Sequence, residues 1–114
     1  MTAAWVRQVC LSLPHATEHV QWGDNLVFKI GGKMFAVATL VPAPNWLSFK
    51  CSQEDFAELI ERPGIIPAPY LARAFWIALE TADPMPRAEL KRRLRESYDL
   101  VLAKLPKKAR AGLK

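Results

Sequence analysis

Cysteine, histidine and glycine are scarce in this 114-residue chain, and each shortage removes a class of chemistry. Cys10 and Cys51 lie far apart, without the CxxC spacing of zinc and redox sites or the density of a disulfide scaffold, so they read as reduced small hydrophobes. His15 and His19 flank Glu18 at an i, i+4 spacing. They follow Pro14 in a segment that reads as a loop, with no HExxH arrangement and no further ligands, so no metal site is expected. No GxSxG elbow surrounds Ser12, Ser48, Ser52 or Ser97, and neither cysteine has a histidine beside it; the expectation is a non-enzymatic protein without a cofactor. Gly31-Gly32 lacks the flanking pattern of a phosphate loop. Apolar stretches are cut by Lys29, Lys33, Lys50 and Glu80 well short of the roughly 20 residues of a membrane helix, and the first residues lack the order of a secretory signal. A cytoplasmic location and no membrane partner are therefore expected.

What the chain does have is charge gathered at one end. Residues 87–114 hold ten Lys/Arg against three Asp/Glu, whereas residues 1–86 hold six against eight, so the whole surplus of +5 lies in the last quarter. Attraction to a polyanion needs locally dense charge, and a domain offering one basic surface to nucleic acid shows this lopsidedness.

The apolar pattern predicts one domain over residues 1–114. Thr2 caps a first helix with the stripe Trp5, Val6, Val9, Cys10 and Leu13, which Pro14 ends. Residues 15–24 read as a polar connection. Leu26-Val27-Phe28-Lys29-Ile30 and the run 33–40 flank Gly31-Gly32 as a β-hairpin, because glycine supplies the positive φ of a tight primed turn. In that register Phe28 pairs with Phe35 and Leu26 with Val37, and Val27, Lys29, Met34, Ala36 and Ala38 form a lighter second face. Pro42-Ala43-Pro44-Asn45 turns the chain into a third strand over 46–51. Ser52 caps a short helix over 53–61, with Asp55 in a capping-box position and Phe56, Leu59 and Ile60 inward. Pro67 and Pro69 limit residues 65–73 to a short edge strand, and residues 74–79 make a better one. A long helix over 87–104 carries the stripe Leu90, Leu94, Tyr98, Val101, Leu102 and Leu105; after Pro106, residues 107–112 add one more turn. The fold class is α+β: helices on a mainly antiparallel sheet of four to five strands, in the order α-βββ-α-(β)β-α.

Certain words recur in that order: Leu13-Pro14, Gly32-Lys33-Met34-Phe35, Leu47-Ser48-Phe49-Lys50-Cys51, Pro63-Gly64-Ile65-Ile66-Pro67, Trp76, and Ser97-Tyr98-Asp99-Leu100-Val101. The ordered set resembles the MmcQ/YjbR family across nearly the whole chain. The resemblance implies a compact domain similar to frataxin-like and secretion-chaperone-like folds, and a DNA-binding label that rests on a proposed pair of hairpin wings. The chain departs from its relatives at Phe75, where they often have histidine before the tryptophan. Iron-handling relatives of this architecture carry an acidic ridge; here the acids are scattered and the net charge is positive.

Three readings of the basic residues follow. In the middle of the long helix, Glu89–Arg93, Arg92–Glu96 and Arg95–Asp99 have i, i+4 spacing, which makes that stretch a salt-bridged solvated face. Arg87 and Lys91 at its start, and Lys104, Lys107, Lys108, Arg110 and Lys114 at its end, are not cancelled by the acids of the helix; they serve either as phosphate contacts or as a solubilising terminus. Lys33, Lys50 and Arg73 form a second set, which either holds phosphates while Trp76 or Trp46 stacks on a base, or covers sheet edges around core tryptophans. The leading expectation is a monomer that binds DNA weakly through its phosphates, using Lys33, Lys50, Arg73 and Trp76 with Arg87, Lys91, Lys107, Lys108 and Arg110. The alternatives are a protein- or peptide-interaction module using the lighter sheet face, and a small-ligand pocket near Tyr70, Arg73 and Trp76.

Overall fold

A computed structural model describes residues 3–21, 23–39, 46–69, 71–80 and 84–112. Thr2 with its expected cap, the Pro42–Asn45 turn, Tyr70 and Lys114 lie outside the described residues. Helix α1 (Ala3–Leu11) buries Val6, Val9 and Cys10, the stripe that its i, i+3, i+4 spacing dictates. Four strands follow: β1 (Thr17–Gln21), β2 (Asn25–Ile30), β3 (Lys33–Thr39) and β4 (Leu47–Lys50). Helix α2 (Gln53–Leu59) starts at Ser52, whose hydroxyl accepts the Asp55 amide at 3.1 Å. Then come β5 (Ile65–Pro67), a 3-10 turn at Ala72–Ala74, β6 (Trp76–Leu79), α3 (Arg87–Ala103) and α4 (Lys107–Ala111).

The fold is α+β, with a six-stranded antiparallel sheet in the order β1-β2-β3-β4-β6-β5. The strand beyond the expected four to five is β1, in residues 15–24, which had read as a polar connection. Thr-Glu-His-Val-Gln carries no apolar alternation because β1 lies at the sheet edge with three of its five residues exposed. Its pairing to β2, Thr17 with Lys29 through Gln21 with Asn25, makes it a strand. At the other edge β5 is as short as its prolines require.

The β2–β3 hairpin corrects the expected register. Ile30 faces Lys33, but Phe28 pairs with Ala36 and Leu26 with Ala38, because the ladder slips between Phe28 and Lys29 and leaves Phe35 as the extra residue of a β-bulge. The bulge reverses the alternation of β3. Ala36 and Ala38 turn toward the helices, and Val37 joins Val27 on the outer face, so the lighter face is not the one expected. Phe35 and Ala36, adjacent in sequence, both lie in the main core. That core joins Val6 and Cys10 of α1, Leu59 of α2 and Leu90, Leu94 and Tyr98 of α3 to one face of the sheet. Both cysteines belong to it; burial pushes the Cys10 thiol up to about 12 and the Cys51 thiol up to about 11.

On the outer face a smaller cluster of Ala68, Trp76 and Ala78 is flanked by Met34, Val37, Ile66 and Leu71. Among the described residues Val20 is the one large hydrophobic side chain that stands exposed.

Candidate functional site

Antiparallel pairing brings the β2–β3 turn, the end of β4 and the start of β6 to the same end of the sheet. Lys33 stands exposed directly after the Gly31-Gly32 turn. Arg73 is exposed in the 3-10 turn that leads into β6. Helix α3 runs toward this end: a Cβ at Gly31 would stand only 2.6 Å from Leu105 Cδ1, so the hairpin tip rests on the residue just beyond the helix. Lys104 forms the C-cap of α3, and its charge is felt at Lys50. Helix α4 follows with Lys107, Lys108 and Arg110 exposed. Among the described residues none of Lys33, Arg73, Lys104, Lys107, Lys108 and Arg110 enters an ion pair. Two regions of the sequence, one in the strands and one at the C-terminal end, thus contribute unpaired cations to a common end of the molecule.

Two residues expected in the site have different surroundings. Lys50 is only 9% exposed, and its ammonium donates to the Ala74 carbonyl at 2.5 Å. Desolvation holds its pKa below the usual lysine range, and the nearby charge of Lys104 lowers it further. Trp76 is 4% exposed and packs within the outer cluster, which leaves its ring no open face for a base. Trp46 is half-buried against the main core.

The turn carrying Arg73 is held under strain. Phe75 adopts φ 61°, a left-handed conformation that costs a residue with a Cβ about 1–2 kcal/mol. Its carbonyl accepts the Cys51 amide at 2.9 Å and the Cys51 thiol at 3.3 Å, and its ring meets Phe56 edge-on at 5.7 Å. With Lys50 holding the preceding carbonyl, these contacts fix the backbone from Arg73 to Trp76. The Phe75 ring gives this turn an apolar anchor on α2.

The middle of α3 bears out the expected ion pairs in part. Arg92–Glu96 at 2.7 Å and Arg95–Asp99 at 3.3 Å lie on the surface. Arg93 is instead buried at 8% exposure, bonded to Asp55 of α2 at 2.8 Å and to Glu89 at 3.4 Å. Glu89 bonds more closely to Arg62, at 2.7 Å. Arg87 and Lys91 begin α3, a 17-residue helix, so roughly 25 Å separates its start from its end. Arg87 lies over the Trp5 ring at 5.3 Å. These two residues do not join the cation cluster.

Ser97 is a contributor that residue chemistry did not single out. It is fully buried, donates to the Phe35 carbonyl at 2.6 Å and accepts the Lys50 amide at 2.9 Å. Its only sequence signal is its membership in the Ser97-Tyr98-Asp99 word, since a serine within a basic helix otherwise reads as solvated.

The YjbR family model matches residues 11–100. A solved structure of a Deinococcus radiodurans protein carrying the DUF419 domain is 32% identical, with a TM-score of 0.87, covering 98% of this chain and 87% of that one. A protein from Pseudomonas syringae shares the fold at 18% identity and a TM-score of 0.71, covering 88% of this chain and 98% of that one. No curated protein matches the chain.

Proposed function

Because the chain belongs to the YjbR family and carries six unpaired cations, among the described residues, at one end of the sheet, we propose that it is a non-enzymatic DNA-binding protein that grips the phosphate backbone. The observation that carries this reading is that Lys33, Arg73, Lys104, Lys107, Lys108 and Arg110 share one end of the sheet. Phosphate contact needs charge density and a fixed spacing of donors. The clamped Ala72–Phe75 turn and the hairpin resting on Leu105 supply that rigidity. Lys50 and Trp76 support the surface from beneath it. Base readout is not part of the proposal, which rests on charge alone. The protein acts as a monomer in the cytoplasm, without a cofactor.

Fluorescence anisotropy of a labelled duplex across a salt series tests the proposal. With four to six phosphates engaged, the slope of log K against log salt is expected to be about −4 to −5. The Lys33→Glu/Arg73→Glu double variant should weaken binding about tenfold or more, whereas Arg87→Glu/Lys91→Glu should leave it within about twofold. Absence of binding at low salt, or equal losses from the two double variants, would overturn the proposal.

A further inference from the structure

Beside the cation cluster, between α3, α4 and the turn after α1, lies a groove of about 830 Å³. Pro14, Tyr98, Leu102 and Ala111 give it an apolar lining. Arg95, Lys107 and Arg110 also line it, against one carboxylate, Asp99, which Arg95 already engages at 3.3 Å. The wall formed by the turn is fixed in advance. The Tyr98 hydroxyl donates to the Pro14 carbonyl at 2.6 Å, and His15 takes a left-handed φ of 62° to close the turn. Tyr98 is itself held, with the Phe35 ring edge-on at 5.5 Å and the Arg95 guanidinium 6.0 Å from its centroid. A wall ordered before binding lowers the entropy cost of taking a ligand.

We propose that this groove binds a small phosphate monoester with an apolar body. Its volume falls within the roughly 300–1,000 Å³ of small-molecule sites. Lys107 and Arg110, one helical turn apart on α4, both line the groove and are unengaged by any carboxylate among the described residues. Two such cations match a dianionic headgroup better than a single carboxylate. Leu102, Pro14 and Ala111 give an apolar body a surface that a bare phosphate would leave wet. A neutral apolar ligand would leave both cations without a counter-charge. The groove shares Lys107 and Arg110 with the proposed phosphate surface but excludes Lys33 and Arg73, so the residues that respond to a ligand distinguish the two readings.

The test is a titration of isotope-labelled protein followed by backbone amide shifts, with 1-naphthyl phosphate, inorganic phosphate and 1-naphthol as probes. Naphthyl phosphate is expected to give saturable shifts at His15, Leu102 and Ala111, and to bind about tenfold or more tightly than either part alone. Arg110 is exposed, so Arg110→Ala should leave the fold intact and weaken binding about fivefold, while Arg87→Ala should not change it. Inorganic phosphate or naphthol binding as well as the ester, shifts centred on Lys33 and Arg73, or no saturable shift would each overturn the proposal.

Discussion

Ser97 reaches across the sheet to Phe35, donating its hydroxyl to that residue's carbonyl at 2.6 Å. The β3–β4 ladder runs from Ala38 paired with Leu47 to Ala36 paired with Phe49, so Phe35 and Lys50 stand where the next pair would form. Ser97 Oγ accepts the Lys50 amide at 2.9 Å and restores through a side chain the connection that the backbone leaves open. One hydroxyl thereby satisfies two buried backbone groups and ties α3 to the basic end of the sheet.

Removing it should be costly. Ser97→Ala leaves the Phe35 carbonyl and the Lys50 amide buried without this partner, an expected loss of about 2–4 kcal/mol. Urea unfolding checks this; a loss within about 0.5 kcal/mol, as for an ordinary surface change, would show that the strands close without the serine.

The two glycines of the hairpin should differ. Gly32 has φ +81° and open space, so Gly32→Ala carries only the left-handed penalty, about 1 kcal/mol. Gly31 adds a clash with the buried Leu105, and Gly31→Ala should cost about 1–2 kcal/mol more. The difference should vanish in a Leu105→Ala background, where the obstructing side chain is gone.

Lys50 is expected to act on structure and not on phosphate. Lys50→Met keeps the stem and loses the bond to Ala74, so stability should fall by about 1 kcal/mol while the salt slope for DNA stays unchanged. A slope reduced by about one unit would instead identify Lys50 as a phosphate contact.

Acid should weaken the link between Arg62 and α3. The hydrogen bond from Arg62 holds the Glu89 carboxyl below the usual carboxylate range, against the opposing effect of partial burial. A depressed folded-state pKa means that the unfolded chain binds the proton more readily. The stabilisation is therefore present above the ordinary glutamate value, about 4.3, and is lost as pH falls through the folded value. Urea midpoints of the wild type and Glu89→Gln should differ at neutral pH and converge in acid; a constant gap would rule out this linkage.

The helices were legible because their apolar stripes are local: Leu90, Leu94, Tyr98 and Val101 repeat at the period that buries one side of α3. The cap at Ser52, the Gly31-Gly32 turn and the short edge strand at Pro67 were equally readable, since each is set by a few adjacent residues. Strand β1 was hidden because an exposed edge strand needs no apolar alternation. The bulge at Phe35 was hidden because register depends on both strands and on Ser97, sixty-two residues away. At the candidate site, sequence identified Lys33 and Arg73 as cations without showing that Lys50, a neighbour in kind, would be buried beneath them.

The amino-acid order alone determined the α+β class, the concentration of positive charge in the last quarter and the family, because these depend on composition, short-range periodicity and ordered words. Tertiary structure alone decided which cations share a surface. Antiparallel pairing and the direction of α3 bring Lys33, Arg73 and Lys104 together and send Arg87 to the far end, and desolvation withdraws Lys50 and Trp76 from solvent. Such outcomes are set by distances through space, which a linear pattern of charge does not contain.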